Sequence, residues 1–212
     1  MEIGAGGEGS GSIVLFPRDG APRVLADRLR WPFGVLPIRD RIVASESWAH
    51  RLLLLDPQGS SRPQPVLLDL PGYPARLAPA SDGAAWLTVF APRSQLIEFV
   101  LRENGYRRRM MSEIDPDYWI APTLANGRSF LEPIQGGALK QMGVLKPWAP
   151  SRSYGLVIKL DDDFEPTLSL HSRADGSRHG TTSVLEHAQT LFVASKGGDV
   201  VLAMPVAELT EQ

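Results

Sequence analysis

Asp69-Leu-Pro-Gly-Tyr-Pro-Ala-Arg-Leu-Ala-Pro-Ala-Ser-Asp-Gly-Ala-Ala-Trp-Leu-Thr-Val-Phe90 runs from a stiff turn through a short apolar segment, a hairpin signal and a strand. Pro71 and Pro74 fix the backbone on either side of Gly72-Tyr73, and Asp82-Gly83 is a favoured two-residue hairpin turn. The segment Ala85–Phe90 is rich in β-branched and aromatic residues, which suit a pleated, half-buried surface. Together these features predict one turn and two strands of an antiparallel sheet.

Working outward, short apolar runs recur in sets separated by turn signals, with the spacing of antiparallel strands. One set is Phe33–Pro37, Arg41–Ser47, His50–Asp56 and Pro65–Asp69. The next is Arg76–Ala80, Ala85–Phe90, Gln95–Leu101 and Tyr106–Met111, with Asn104-Gly105 as its second hairpin turn. Ser94–Arg102 has some helical character, but its place after a strand favours a third strand. A partial set follows at Thr181–Leu185, Thr190–Ser195 and Asp199–Met204, with Gly197-Gly198 before its last member. Strand pairs at Gly11–Phe16 with Pro22–Ala26, and at Tyr154–Leu160 with Thr167–His171, fill the gaps. Four-stranded units recurring at about 40 to 50 residues predict an all-β fold built as a β-propeller.

The expected organisation is a flexible Gly-rich leader over 1–12, a single partial propeller over 13–206 and a tail over 207–212. Within it, 112–153 breaks the strand rhythm. It holds Tyr118, Trp119, Phe130 and Trp148 among prolines and glycines, which suggests an ordered insertion covering a face of the domain.

The 212 residues are 43% hydrophobic and 22% charged, an ordinary balance for a globular chain. A formal charge of -2 gives no electrostatic basis for nucleic acid as a partner. Arg107-Arg108-Arg109 is the one basic run and reads as part of a solvated edge strand. With no cysteine, disulfides, thiolate catalysis and cysteine-ligated metals are excluded. No run approaches the roughly 20 apolar residues of a membrane helix, and the N-terminus lacks a signal-peptide pattern. As written, the chain reads as cytoplasmic, or periplasmic if the N-terminus is truncated.

Two motifs carry no chemistry. Gly4-Ala-Gly-Gly-Glu-Gly9 matches G-x-G-x-x-G by letter, but no strand precedes it and no helix follows. Ser45 and Ser47 lie outside any G-x-S-x-G elbow.

The candidate catalytic residues are Glu46, at the end of a predicted strand, and His179, an imidazole able to act as a base near neutral pH. Candidate ligand-binding residues are Tyr73, Arg76, His50, His171, Arg173 and Thr182, whose cations and polar groups would suit a carboxylate or other anion. The structural alternative pairs Glu46 with Arg51 or Arg76 and has the histidines satisfying loop backbones. His171 and His179 do not have a zinc-site spacing.

The segments Leu29-Arg-Trp-Pro-Phe-Gly-Val35, Val43-Ala-Ser-Glu-Ser47 with His50-Arg51, Leu70-Pro-Gly-Tyr-Pro74, and Thr182-Ser-Val-Leu-Glu186 before Leu191-Phe-Val-Ala-Ser195 resemble the strictosidine synthase-like family. That family has a six-bladed propeller and is similar to gluconolactonases, regucalcin and paraoxonases. The resemblance implies a chain of about four blades that begins near the family's third. The missing blades would come from the rest of a longer chain or from another chain. It also implies a small organic ligand at the propeller axis, with ester or lactone hydrolysis as the enzymatic expectation and a non-catalytic binding propeller as the alternative. Calcium is the metal of the metal-dependent relatives, but Phe33 stands where they have an asparagine ligand, and Ala75-Arg76 stand where an Asp-Asn pair is common. The expected metal set is therefore none. The glutamate of the alkaloid synthase corresponds to Thr181 or Thr182, so strictosidine synthesis is not implied.

Overall fold

The computed structural model describes residues 9–125, 152–173 and 177–209, together with the backbone of 140–141 and 144–145. The chain is mostly β, in antiparallel sheets laid side by side. Strands β1 (Gly11–Leu15) and β2 (Arg23–Leu29) form a hairpin. A four-stranded meander follows: β3 (Pro32–Ile38), β4 (Arg41–Glu46), β5 (Arg51–Leu55) and β6 (Gln64–Leu67). The next sheet contains β7 (Gly72–Pro79) and β8 (Ala85–Pro92). After an excursion that includes the two-residue strands β9 (Lys140–Gln141) and β10 (Val144–Leu145), β11 (Leu156–Leu160) and β12 (Pro166–His171) complete it in the order β12-β11-β8-β7. The last sheet is β13 (Thr181–His187), β14 (Thr190–Ser195) and β15 (Val200–Pro205). Among the described residues no sheet closes on itself.

The apolar runs show why the sheets stack. Leu52–Leu55 are all buried, which an exposed antiparallel strand would not tolerate. Leu52 and Leu54 join Leu77, Leu87 and Ile158 of the sheet that follows, whereas Leu53 and Leu55 join Ile13, Leu25 and Leu29 of the hairpin that precedes. The alternation of side chains along β5 thus fills two interfaces at once. β8 repeats the arrangement, with Leu87 and Val89 facing the preceding sheet and Trp86 facing Val184, Leu191 and Val193 of the last. Trp86 is fully buried and donates its indole N–H to Glu186 Oε2 at 2.7 Å. The edge strands β3, β7 and β13 lie against one another in that order.

The expected strands at Gln95–Leu101 and Tyr106–Met111 are helices, α1 (Gln95–Arg102) and α2 (Asn104–Glu113). Ser94 caps α1 by accepting the Ile97 N–H at 3.2 Å, and Ile97 and Val100 turn a helically spaced apolar face into the body. The third and fourth strands of that sheet are β11 and β12. Asn104-Gly105 consequently opens α2 instead of turning a hairpin. Arg107 is buried in that helix, donating to Leu101 O at 2.6 Å and Asn104 Oδ1 at 2.8 Å, while Arg108 and Arg109 are exposed. The basic run therefore lies on a helix, with only part of it solvated. The break in strand rhythm begins at Arg93, well before Ser112. Tyr118 closes a short 3-10 turn over Pro116–Tyr118, and Trp119 donates its indole N–H to Ile114 O at 2.8 Å. Phe130, Trp148, most of the leader and the last residues of the tail lie outside the described residues. The tail's described part enters α3 (Val206–Leu209).

Two glycines test this arrangement. A Cβ on Gly34 would lie 2.5 Å from Ala75 O and 2.7 Å from Arg76 Cα, where β3 meets β7. A Cβ on Gly105 would meet no atom within 4 Å. In denaturant unfolding, Gly34→Ala is expected to destabilise by about 1–3 kcal/mol, and Gly105→Ala to stabilise by about 0.5–1 kcal/mol as a helical position. Destabilisation by Gly105→Ala would favour the hairpin turn over the helix.

Candidate functional site

The longer connections between strands are stitched to one another by backbone hydrogen bonds at one end of the sheets. Ser47 N–H reaches Trp31 O, Leu70 N–H reaches His50 O, Arg93 N–H reaches Pro71 O, Gly180 N–H reaches Tyr154 O, and Gly197 N–H reaches His179 O. This end holds every candidate residue except Arg76 and Thr182, which lie on the edge strands just below it.

His50 and Tyr73 meet around Glu98 of α1. His50 adopts a left-handed backbone (φ 51°) after the 3-10 turn Ser47–Ala49, which aims its ring inward. Its Nδ1 lies 2.8 Å from Gly72 O and its Nε2 lies 2.9 Å from Glu98 Oε1. Tyr73 Oη donates to the same Glu98 oxygen at 2.7 Å, and its ring lies 4.7 Å from that of His50. Burial, together with the hydrogen bond and negative charge of Glu98, pushes the Tyr73 hydroxyl far above its ordinary value near 10. Tyr73 is fully buried and His50 nearly so. These two expected ligand contacts therefore pin α1 to the sheets, above an apolar cluster of Tyr73, Phe90, Ala91 and Ile97.

Glu46 and His179 are both buried, at 2% and 0% exposure. Glu46 Oε1 accepts the Arg30 backbone N–H at 2.7 Å, and Oε2 accepts Arg51 Nε–H at 2.7 Å. Of the two structural pairings open to it in the sequence, the structure has that with Arg51. His179 Nδ1 lies 2.7 Å from Ser153 Oγ, and Nε2 lies 2.7 Å from Arg173 O. Because a carbonyl only accepts, Nε2 carries a proton toward Arg173 O, while Nδ1 shares a hydrogen with Ser153 Oγ. His171 is exposed and contacts Ser169 Oγ at 2.9 Å and Tyr154 Oη at 3.3 Å. The Tyr154 ring stands between His171 and His179, with centroids 5.9 and 6.0 Å away. Arg173 is exposed and contributes its carbonyl to His179. Thr182 is buried at a register shift between Thr181 and Ser183.

Arg76 differs from the other candidates. It is exposed on β7, between the two flanking edge strands. Its guanidinium carbon lies 5.4 Å from the centre of the Phe33 ring on β3, and Nη1 donates to Ser183 Oγ on β13 at 3.0 Å. Three sheets therefore contribute to one surface. Phe33 continues into an aromatic stack with Trp31 at 6.4 Å and Phe90 at 5.7 Å, and Trp48 lies 5.6 Å beyond Trp31. Exposed Val35 and Leu185 follow two residues along their strands from Phe33 and Ser183. The surface thus offers a cation, a hydroxyl and apolar flanks. Among the described residues no three His, Asp or Glu side chains converge as a metal site requires, and no helix is long and apolar enough to cross a membrane.

Sequence reasoning missed Glu98, Ser153, Tyr154 and Ser183. Glu98 had a signal, since Ser94 followed by an acidic residue in the next turn is a helix start. Ser183 had none, because its pairing with Arg76 spans more than a hundred residues. Comparison with protein-family models and with curated proteins finds no match to this chain.

The raised hydroxyl of Tyr73 has a signed consequence. Below its ordinary value near 10 the group is neutral in both folded and unfolded chains, and its contribution to stability is complete. Above that pH the unfolded chain loses the proton while the folded one keeps it, so stability falls as pH rises. Urea titrations between about pH 9 and 11.5 are expected to show that decline. Tyr73→Phe should flatten it by up to about 1.4 kcal/mol per pH unit; an unchanged slope would place Tyr73 in water.

Proposed function

We propose that the chain is a partial β-propeller of the strictosidine synthase-like type, about four blades of a six-bladed pattern, that binds a small organic anion at its axial face. The side-by-side order of β3, β7 and β13, each the first strand of its sheet, supports the propeller reading. The observation that carries the ligand class is Arg76. An exposed guanidinium held over Phe33 and against Ser183 suits a planar carboxylate, and the apolar flanks suit a hydrophobic body attached to it. An aryl or alkyl carboxylate is the best chemical match.

Binding without turnover is favoured over ester or lactone hydrolysis. A general base needs reach to a substrate or water. Glu46 spends both oxygens on Arg30 and Arg51, and His179 spends both ring nitrogens on Ser153 and Arg173. Arg76, by contrast, is exposed. The ligand would therefore be held by a cation, while Glu46 and His179 are committed to internal bonds.

The test is titration of the protein with indole-3-carboxylate and naphthoate, followed by calorimetry. Saturable binding is expected in the wild type and a loss of at least tenfold, about 1.4 kcal/mol, in Arg76→Gln. Equal affinity in the two proteins would exclude this site. Aryl-ester turnover that disappears in His179→Gln but survives in Arg76→Gln would restore the hydrolase reading.

A further inference from the structure

A second polar site lies between the β1–β2 hairpin and the β3–β6 sheet, away from Arg76. A cleft of about 450 Å3 opens there, lined by Asp27, Arg28, Arg30, Glu46, Ala49 and Arg51. Its floor is the buried Glu46 carboxylate. Glu46 fixes Arg51 through Nε, and the Arg51 side chain remains about a third exposed (35%). The two Nη groups of Arg51 have no acceptor among the described residues. A guanidinium oriented through Nε with both Nη groups unspent is prepared for bidentate contact with an oxyanion.

Charge and backbone agree with this assignment. Arg28 and Arg51 line the cleft together with Arg30, beside the carboxylates of Asp27 and Glu46. Asp27 is largely exposed and only 3.7 Å from Arg28, so it screens that arginine weakly. Arg28, which lines the cleft, and Trp31 and His50, which adjoin its lining residues Arg30, Ala49 and Arg51 in sequence, have left-handed backbones, with φ of 52°, 60° and 51°. Such conformations are costly for residues with a side chain and concentrate where the surrounding structure holds a site in place.

From this geometry we infer that the Arg51 cleft binds the oxyanion group of a small hydrophilic molecule, a carboxylate or a phosphate, with Glu46 as the positioning residue. The site is independent of the axial face: its cations come from β2, the β2–β3 turn and β5, and none touches Arg76. Glu46 thus acts through Arg51 and does not itself meet the ligand.

The experiment is NMR titration of the full chain with inorganic phosphate and, separately, with tartrate, following the arginine side-chain N–H signals. Saturable shifts of the Arg51 signals at millimolar probe are expected with at least one of the two, and which one responds identifies the source of the oxyanion. Arg51→Lys keeps the ion pair with Glu46 but loses the fork, and should weaken binding at least tenfold. Arg28→Gln, at an exposed position, should weaken it severalfold, and Arg76→Gln should leave it unchanged. No shift with either probe, or affinity unchanged in Arg51→Lys, would overturn the assignment. Because Arg51→Lys retains the charge over the buried carboxylate, a failed fold does not stand in for lost binding.

Discussion

Buried hydroxyl-to-carbonyl bonds between sheets are the interaction on which the rest of this structure depends. β7 is irregular, with register shifts between Gly72 and Pro74 and between Pro74 and Leu77, so its ladder cannot satisfy every carbonyl there. Ser47 Oγ donates to Pro74 O and Ser45 Oγ donates to Ala75 O at 2.6 Å, from the sheet before. Gly34 N–H in turn donates to Ser45 Oγ at 2.8 Å. Across the other interface, Thr181 Oγ1 lies 3.0 Å from both Val89 O and Leu156 O. An unpaired buried carbonyl costs about 1–3 kcal/mol, so these hydroxyls hold the sheets in register as well as together.

That seam has consequences for the chemistry of the molecule. It brings β3, β7 and β13 close enough for Arg76 to touch residues of both neighbours. Ser45 and Ser47 face β7, while Glu46 between them faces Arg30 and the hairpin. Alternation along a single strand therefore divides the Ala-Ser-Glu-Ser segment between a structural seam and an anion cleft. The same end carries the Glu98 network, which fixes α1 over the aromatic cluster.

Much of the sheet architecture is legible in the sequence because its cues are local. Asp82-Gly83 turns a hairpin, with Gly83 at φ 88°, and Leu52–Leu55 is a short apolar run that suits a strand buried on both faces. The helices are misread because the repeat of strand sets predicts two more strands after Phe90, whereas β11, which pairs with β8 on the side away from β7, lies beyond an excursion of some sixty residues. Pairing across that distance leaves no short-range mark. Residue type marks the candidates, and type does not reveal burial. Glu46 and His179 have the chemistry of catalysts, yet their surroundings commit them to hydrogen bonds that the sequence does not display. Arg76 is readable as a cation soon after Gly72-Tyr-Pro74, but Ser183, its partner more than a hundred residues away, is not.

The most direct test of this account is solution NMR contact between side chains that only the sheet order brings together. Cross-peaks are expected between the Phe33 ring and the Arg76 δ-methylene, and between the Arg76 side chain and Ser183 Hβ. Their presence in the free protein would establish that β3, β7 and β13 form one surface. Resolved signals for all three residues with no such cross-peaks would contradict both the sheet order and the Arg76 surface built on it.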